Sequence, residues 1–404
     1  MVEIMRDSDF QDRTTGELVR TVFVERTQDG SSRTINGLAF VPRPLPPGLD
    51  PVTLTGKLYD VLDAAKTSLL RLEAKVESLP SKTALLASMR AREAQSSSKI
   101  ENTVATLRDI AMAAAEAERA PSEAVEVLRN RRAIEAGLRS KLPVSIRLVC
   151  EMHAVLIDAP GKRPGTLRDI QAYIGDEERG FGRARFVPPP PDRIGECMKQ
   201  WELFVNPGAL NAPRRPRLPD LVELAFAHYQ FEAIHPFSDG NGRLGRALVN
   251  VTPVKNGLLR QPVCNISDWV HERRQEYYDG LLRVSTHGDW EGWARFFCLA
   301  LKEQAEQDLR RADHVAGLHE RYMLLVTRRR NSIMLTKLID RLFENPAVTV
   351  TGAASVMGVS YTAAKRHIDY LLARRVLRPA DAREYAKVFI APEIIRAIRG
   401  PGED

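Results

Sequence analysis

Apolar residues recur along most of the chain at the three- and four-residue spacing of an amphipathic helix. The clearest run is 218–231, where Leu221, Leu224, Ala225 and Phe231 fall on one face. Proline and glycine interrupt the pattern and mark helix ends. It predicts helices over 58–77, 82–102, 105–118, 122–138, 145–156, 218–231, 246–255, 301–330, 333–344, 352–357 and 361–373, and aromatic-rich helices after 267 and around 290–297. The chain is therefore predicted to be mainly α-helical.

Two short runs depart from the helical spacing and favour β-structure. Residues 170–174 and 184–187 are rich in β-branched and aromatic side chains, and a glycine-rich connection separates them. This arrangement predicts a β-hairpin. The prolines at 188–191 predict an extended segment after its second strand. A free hairpin edge can accept an extended peptide as an added strand. The sequence leaves open whether the hairpin has such a partner.

The last 70 residues have a pattern of their own. Helices over 352–357 and 361–373 flank a turn at 358–360, and the run 376–390 reads as two short strands with a turn at 379–383. This order resembles a winged helix-turn-helix. Its second helix would expose Tyr361, Thr362, Lys365 and Arg366, where such domains meet bases or phosphates. Related cores also serve in dimerisation or peptide docking, so the pattern predicts a docking module and leaves its partner open.

The composition is that of a soluble globular protein. The 404 residues suffice for two or three domains, with 44% hydrophobic and 27% charged residues. Apolar runs of about 18 residues are absent, which predicts no membrane span, and residues 1–12 are charged, unlike a signal peptide. Cys150, Cys197, Cys264 and Cys298 lie far apart. They favour reduced core residues in a cytoplasmic protein over a disulfide or zinc framework.

The net charge of +7 is concentrated near the C-terminus. Residues 301–404 hold 18 lysines and arginines against 13 aspartates and glutamates. Such an asymmetry is compatible with nucleic acid or another acidic surface, and equally with solvated surface charge.

The strongest chemical signal is the stretch from His235 to Arg246, which reads HPFSDGNGRLGR. It joins two predicted helices and places three glycines, at 240, 242 and 245, near the start of the second. Unsatisfied backbone N–H groups and a positive helix dipole favour an anion there. Arg243 and Arg246 fall on one face of the first turn, and two guanidinium groups suit a polyphosphate.

Two further side chains in this stretch indicate catalysis. Asp239 would repel a phosphate unless a divalent cation such as Mg²⁺ lay between them. His235 is the residue best suited to accept a proton near neutral pH. The glycines are not followed by Lys-Ser/Thr, so the stretch is not a Walker loop. A bare helix–loop–helix turn with solvated arginines explains this combination less well than a phosphate-binding loop with a base.

The stretch resembles the signature of the Fic family, His-Pro-Phe-x-Asp/Glu-Gly-Asn-Gly-Arg-x-x-Arg, and it matches at every specified position. The resemblance implies a mostly helical fold that transfers AMP from ATP to a hydroxyl of a target protein, on Ser, Thr or Tyr. His235 would be the base and Asp239 the Mg²⁺ ligand. The ATP and phosphate site would comprise Gly240, Asn241, Gly242, Arg243, Leu244, Gly245 and Arg246, with Tyr278 as a nucleotide contact.

Two other segments extend the resemblance. Ser97, Glu101 and Asn102 match the family's inhibitory helix, in which Glu101 would pair with Arg246 and block the place of the γ-phosphate. The alternative is a solvated glutamate on an exposed face. The hairpin is similar to the family's target-docking flap, preceded by Pro164, Gly165, Arg168 and Gln171 and formed by Ile174, Gly175, Phe186, Val187 and Pro188.

Together these patterns predict a mainly α protein with a Fic-type helical core, a β-hairpin flap and a C-terminal winged helix. The expected divisions are an N-terminal arm and inhibitory region over 1–104, with an extended arm over 1–55, a catalytic core over 105–300, a helical connector over 301–331 and a winged helix over 332–404. The leading function is a cytoplasmic, ATP-dependent protein adenylyltransferase inhibited by Glu101, without a membrane partner and compatible with a homodimer. The alternatives are a DNA-binding regulator or toxin–antitoxin component built on the winged helix, or a Fic-fold enzyme that transfers UMP, phosphate or phosphocholine, or removes AMP.

Overall fold

A computed structural model describes residues 7–26, 32–46, 55–79, 82–116, 120–158, 162–175, 184–208, 217–327, 332–380 and 387–400. The described residues form fifteen α-helices, seven β-strands and a short 3₁₀ turn at Asp7–Asp9. The prediction of a mainly helical chain is therefore confirmed. Two compact units share the chain, the first made of 1–66, 133–258 and 272–302, the second of 67–132, 259–271 and 303–404. Among the described helices, none has both the length and the apolar character needed to cross a bilayer.

The first unit is built around one buried helix. Its elements are β1 (Gly16–Arg26), β2 (Ser32–Pro42), α5 (Ile146–Leu156), β3 (Ile174–Gly175), β4 (Ala184–Phe186), α6 (Pro191–Val205), α7 (Asp220–Ile234), α8 (Asn241–Lys255) and α10 (Arg274–His287). Along α7, every residue from Leu221 to Ile234 except Glu223 is buried. A helix that is covered on all sides lies at the centre of a core.

Indole groups fix neighbouring elements to this central helix. Trp201 of α6 donates from Nε1 to the Ala227 carbonyl at 2.9 Å, and Trp293 donates to the Ala225 carbonyl at 2.8 Å. Both rings are almost fully buried. Buried indoles that find an acceptor combine a large apolar contact area with a directional bond, which fixes the packing around α7.

The N-terminal arm is more regular than predicted. Strands β1 and β2 pair antiparallel over eleven residues each, from Gly16 opposite Pro42 to Arg26 opposite Ser32. The Phe40 N–H donates to the Val187 carbonyl at 2.9 Å, and the Thr21 hydroxyl donates to Gln171 Oε1 at 2.6 Å. The extended arm expected over 1–55 thus contains a β-hairpin that packs beside the predicted flap.

The second unit contains the C-terminal helices and a small sheet. Its elements are α2 (Lys82–Ile100), α3 (Leu107–Ala115), α9 (Ser267–Glu272), α12 (Ser332–Glu344), β5 (Ala347–Thr349), α13 (Val350–Met357), α14 (Tyr361–Ala373), β6 (Arg378–Pro379), β7 (Val388–Ile390) and α15 (Pro392–Arg399). The three strands pair antiparallel in the order β5-β7-β6. The sequence predicted β6 and β7 but neither β5 nor α15. The winged-helix assignment stays a prediction.

The helices α1 (Gly56–Ser78), α4 (Ser122–Arg139) and α11 (Trp290–Thr327) each contribute several residues to both units, and α9 contributes its last residue, Glu272, to the first. The sequence was interpreted as a last core helix near 290–297 followed by a separate connector over 301–330. That division is wrong, because α11 is one helix of 38 residues. Residues 290–327 contain no proline, so no proline ends the helix between the two predicted segments.

The serines of α2, Ser96, Ser97 and Ser98, are poor helix formers because their hydroxyls compete for backbone hydrogen bonds. In the second unit they are buried, and the Ser96 hydroxyl donates to Asp268, whose carboxylate also pairs with Arg92 and Arg311. A buried carboxylate that lies between two cations and a hydroxyl is well satisfied. Ser96 therefore contributes to a polar cluster that joins α2 to α9 and α11.

Candidate active site

His235 lies at the C-terminal end of α7, immediately before Pro236. Its backbone is left-handed, with φ 49° and ψ 60°, and its N–H donates to the Phe231 carbonyl at 3.0 Å. A non-glycine residue in this region costs about 1 kcal/mol. Proline cannot continue the helix, and the left-handed turn redirects the chain into the loop. The half-buried imidazole is thus attached to a fixed point at the end of the central helix.

The loop after His235 is closed by one side chain. Asn241 accepts the Phe237 N–H at its Oδ1 at 2.9 Å and donates from Nδ2 to the Phe237 carbonyl at 2.7 Å. Asn241 is buried, and Phe237 is fully buried. This reciprocal pair fixes the loop geometry. Because the Asn241 side chain is bonded within the loop, its predicted phosphate contact would be made by its backbone N–H.

His153 of α5 supports the loop from the other side. Its ring stacks on Phe237 with centroids 3.8 Å apart and an angle of 8°. Nδ1 accepts the Gly165 N–H at 2.9 Å, so the proton lies on Nε2, which donates to the Asp239 carbonyl at 3.0 Å. Burial lowers the pKa of His153, in keeping with a neutral ring. His153 therefore positions the loop.

The helix that follows, α8, begins with an open N-terminus. Its N-cap, Gly240, has φ 77° and makes no side-chain cap hydrogen bond. A Cβ at this position would lie 2.8 Å from Ile157 Cδ1, so both conformation and space require glycine. The first N–H groups of a helix have no acceptor within it. The anion site that the sequence predicts would lie at this helix start, and it stays a prediction.

Asp239 and Arg243 form an ion pair at this helix start. Arg243 Nη2 lies 3.2 Å from Asp239 Oδ1, and Lys162 Nζ lies 3.0 Å from Oδ2. Burial raises the pKa of Asp239, but the hydrogen bond from Lys162 and the charge of Arg243 outweigh it, and the pKa falls below its usual value. The carboxylate is therefore ionised at neutral pH.

The donor set around Asp239 limits what metal it could hold. Within the described ranges, no group of three His, Cys, Asp or Glu side chains is placed to bind a metal. Mg²⁺ commonly uses one or two carboxylates together with substrate phosphates and water. A single carboxylate beside an anion site fits that use, provided the cation displaces Lys162 or Arg243 from Asp239.

Arg246 lies one turn further along α8 and is 1% exposed. It hydrogen-bonds the Tyr277 side chain of α10, and that hydroxyl lies 2.9 Å from His228 Nε2. Burial, together with the charge of Arg246, lowers the pKa of His228 to about 3, so this imidazole is neutral. The second arginine of the motif is thus held by a buried polar network between α7, α8 and α10.

Leu244 and Gly245 lie between the two arginines. Leu244 is completely buried. A Cβ at Gly245 would collide with Glu232 of α7, so glycine here permits the close approach of the two helices. The sequence predicts that both residues belong to the phosphate site, and that role stays a prediction.

Tyr278, the predicted nucleotide contact, lies on α10 beside Tyr277. The two rings have centroids 5.4 Å apart, and the Arg274 guanidinium lies 5.7 Å from the Tyr278 centroid. Tyr278 is partly exposed, whereas Tyr277 is buried. Tyr278 thus lies next to Tyr277, the partner of Arg246, and its contact with a nucleotide stays a prediction.

The predicted flap is present as a hairpin. Ile174 pairs with Phe186 and Gly175 with Ala184, with a register shift between the two pairs. Phe186, Val187 and Pro188 are buried, Ile174 is partly exposed and Gly175 is exposed. A target peptide could therefore reach the backbone of Ile174 and Gly175 more readily than the buried side chains. Its connection, 176–183, lies outside the described residues.

The predicted inhibitory residues belong to the second unit. Helix α2 ends at Ile100, so Glu101 and Asn102 form a turn after the helix and do not lie within it. Asn102 has φ 63°, a conformation that commonly ends a helix. Ser97 is buried and Glu101 is exposed. The helix predicted over 82–102 ends at Ile100, so the prediction is wrong for its last two residues.

Sequence reasoning did not assign the residues that hold the loop in place. Lys162 bonds a residue 77 positions away, and His153 one 86 positions away. Local spacing carries no signal for such distant partners. In the sequence, Lys162 and His153 are related to the loop between α7 and α8 only by lying near the turn at Gly165.

The sequence model described as the Fic/DOC family matches residues 143–252, and the model of the Fic/DOC family N-terminal region matches 59–139. The first match contains the whole stretch from His235 to Arg246. Residues 59–139 and 143–252 are thus similar to the Fic/DOC family.

Curated relatives that match part of this chain are named adenylyltransferases. Protein adenylyltransferase Fic of Drosophila persimilis is 31% identical over 164 residues, which is 40% of this chain and 28% of the relative. Protein adenylyltransferase fic-1 of Caenorhabditis elegans is 31% identical over 159 residues, which is 38% of this chain and 26% of the relative. The chain thus spans less than a third of the length of these relatives.

A solved structure shares the fold over most of the chain. The crystal structure of a Fic family protein from Desulfovibrio desulfuricans G20 superposes with a TM-score of 0.52 and 20% identity. The match covers 85% of this chain and 98% of the other. The Fic-type core predicted from the sequence is thereby confirmed as a fold.

Proposed function

We propose that this protein is an adenylyltransferase that transfers AMP from ATP to a hydroxyl side chain of a target protein. The observation that carries the proposal is the loop between α7 and α8. It presents the His235 imidazole, an open helix N-terminus and two arginines within twelve residues. The names of the 31% identical relatives support the same reaction.

In this reaction, His235 takes the proton of the target hydroxyl as that oxygen attacks the α-phosphorus of ATP. The bond between the α-phosphorus and the bridging oxygen to the β-phosphate breaks, and pyrophosphate leaves. The N–H groups after Gly240 and the guanidinium groups of Arg243 and Arg246 hold the phosphates, so the chemistry depends on positioning and charge stabilisation. Asp239 would hold Mg²⁺, which supplies charge neutralisation of the phosphates when bound.

The experiment that tests the proposal compares labels. The whole chain is incubated with a cell lysate and ATP labelled at the α-phosphate, and in parallel with ATP labelled at the γ-phosphate. Protein-bound label from the α-position alone supports transfer of AMP, and label from the γ-position supports transfer of phosphate. Labelled UTP and CDP-choline separate the remaining reactions of this fold, and release of label from an adenylylated lysate would identify removal of AMP.

We infer that Glu101 inhibits transfer, because Ser97, Glu101 and Asn102 match the family's inhibitory pattern. Glu101→Gly is expected to raise the transfer rate roughly tenfold, which corresponds to about 1.4 kcal/mol, within the range of one charge-assisted pair. ATP affinity should rise less, since a competing carboxylate would mainly bend the phosphate chain away from in-line geometry. Self-modification with labelled ATP measures the rate.

Glu101→Gln serves as the graded control in that comparison. The amide keeps the volume of the side chain and loses its charge, so it should release the enzyme only in part. A Glu101→Gly variant no faster than the wild type would show that Glu101 is a surface or structural residue.

We propose a second function for the C-terminal residues, which is binding of duplex DNA through α14. Ala364, Ile368 and Leu371 are the buried side of this helix. The opposite side exposes Tyr361, Thr362, Lys365 and Arg366. The turn before it fits a helix-turn-helix, because Gly358 is left-handed and the Ser360 hydroxyl caps α14 by accepting the Ala363 N–H.

The charge around α14 favours a polyanion. Residues 332–404 contain eleven lysines and arginines and eight aspartates and glutamates. Three of these acids already have basic partners, with Asp340 bonded to His319, Asp369 to Lys365 and Glu393 to Arg321. The surplus of positive charge is the footprint expected of a surface that contacts phosphates.

Binding of the whole chain to a random duplex is expected at low salt and should weaken steeply as salt rises, by roughly 0.9 log units per log unit of salt for each phosphate contacted. Reversal of charge at two positions, Lys365→Glu with Arg366→Glu, should reduce the affinity and the salt slope together. Arg147→Glu on α5 is the control, since Arg147 is exposed in the first unit. Fluorescence anisotropy gives both quantities.

Equal binding by the wild type and the charge-reversed variant would overturn the DNA assignment. In that case the helix-turn-helix would be assigned to dimerisation, and sedimentation of the same two proteins would compare their oligomeric states.

A further inference from the structure

Arg168 is a buried cation whose hydrogen-bond partners, within the described part of the chain, are backbone carbonyls. It is 3% exposed, and its guanidinium donates to four backbone carbonyls. Burial lowers the pKa of Arg168 to about 10, which still leaves it charged at neutral pH. A buried charge is retained only where it is well hydrogen-bonded, so the set of acceptors shows what Arg168 holds together.

Two of the acceptors lie at the catalytic end of α7. Arg168 Nε donates to the His235 carbonyl at 2.8 Å, and Nη2 lies 3.4 Å from the Ile234 carbonyl. The backbone N–H of Arg168 donates to the Pro236 carbonyl at 2.9 Å. The last carbonyls of a helix lack partners within it and carry the negative end of the dipole, so a cation stabilises them. Arg168 thereby holds the left-handed turn at His235.

The other two acceptors lie at the two ends of the flap. Nη1 donates to the Ile170 carbonyl at 2.9 Å, before β3, and Nη2 donates to the Pro189 carbonyl at 2.6 Å, after β4. One planar guanidinium therefore joins three segments, which are the end of α7 and both arms of the hairpin. A lysine has a single nitrogen on a flexible stem and cannot reproduce that fork.

We propose that Arg168 is a positioning residue that sets the distance between the His235 base and the flap that aligns the target. The inference rests on the proposed transfer of AMP, and it adds a coupling between target docking and the base. If the flap positions the target hydroxyl, the His235 imidazole must be held at a fixed distance from the flap. A misplacement of about 1 Å at such a site can reduce the rate about 100-fold.

The test compares Arg168→Lys and Arg168→Gln with the wild type, and Arg163→Gln is the matched control. Arg163 lies in the same segment, is exposed and pairs with Asp169. At saturating ATP, the self-modification rate of both Arg168 variants is expected to fall roughly 30- to 100-fold. The ATP dissociation constant should stay within about twofold, because the phosphate groups are held by α8. Arg163→Gln should match the wild type in both.

A second readout does not depend on transfer. In protein labelled with ¹³C at histidine Cε1, the His235 signal is identified by its loss in His235→Ala. That signal is expected to shift or broaden in Arg168→Lys and to stay in place in Arg163→Gln. If the wild type transfers no AMP from ATP, the proposed function fails, and the His235 signal still decides whether Arg168 positions the imidazole.

The outcomes separate positioning from simple stabilisation. If Arg168→Gln does not fold, the lysine variant, which keeps the buried charge, provides the decision. A lysine variant with an unchanged His235 signal, or with a rate that falls only in proportion to its folded fraction, would overturn the proposal. Rescue of Arg168→Gly by millimolar guanidinium, absent for Arg163→Gly, would support it.

Discussion

Replacing His235 by alanine is expected to reduce AMP transfer by roughly 10²–10⁴-fold, the usual contribution of a general base. ATP binding should remain close to that of the wild type, because the proposed mechanism assigns the phosphates to the N-terminus and arginines of α8. Incorporation of label from the α-phosphate measures the first quantity, and titration calorimetry with ATP measures the second.

His314→Ala is a suitable control for the loss of an imidazole. His314 is exposed on α11, and its Nδ1 lies 2.8 Å from the Arg310 carbonyl. The variant should retain wild-type transfer. Wild-type transfer rates in His235→Ala itself would show that His235 is not the base. A loss of ATP affinity as large as the loss of transfer rate would indicate that the imidazole binds nucleotide.

Replacing Asp239 by alanine is expected to abolish the dependence of transfer on Mg²⁺ and to reduce the rate roughly 100-fold, or about 2.7 kcal/mol. Without the carboxylate, Lys162 and Arg243 lose their shared partner, and the proposed magnesium site loses its carboxylate ligand. The measurement is the transfer rate as a function of Mg²⁺ concentration at fixed ATP.

Two variants make the Asp239 result specific. Asp239→Asn keeps the size of the side chain and can still accept a hydrogen bond from Lys162, so it separates lost charge from lost packing. Asp169→Ala removes an exposed carboxylate that pairs with Arg163, and should leave the Mg²⁺ response unchanged. A wild-type Mg²⁺ titration in Asp239→Ala would mean that Asp239 serves only the ion pair with Arg243.

Features with local causes could be predicted from the sequence. Ser145 caps α5 by accepting the Leu148 N–H, Asn256 ends α8, and α14 has the predicted bounds. Each depends on residues within a turn of one another, so spacing alone contains the information. The same holds for the loop between α7 and α8, where twelve consecutive residues carry most of the proposed chemistry.

Features with distant partners could not be predicted. Strand β5 has three residues and exists because β7 pairs with it. The contacts of Arg168 with His235 and of His153 with Asp239 join segments that meet only after folding. The β1–β2 hairpin is an intermediate case, since Asp29-Gly30 between two β-favouring runs is a known turn signal that could have predicted it.

The left-handed backbone at His235 has a consequence for which side chain this position favours. Glycine adopts that conformation without the penalty of about 1 kcal/mol that a side chain incurs. Under the proposed function, replacing His235 by glycine would remove the base and relieve this backbone conformation in one step. The imidazole is then retained for its chemistry and against the local preference of the backbone.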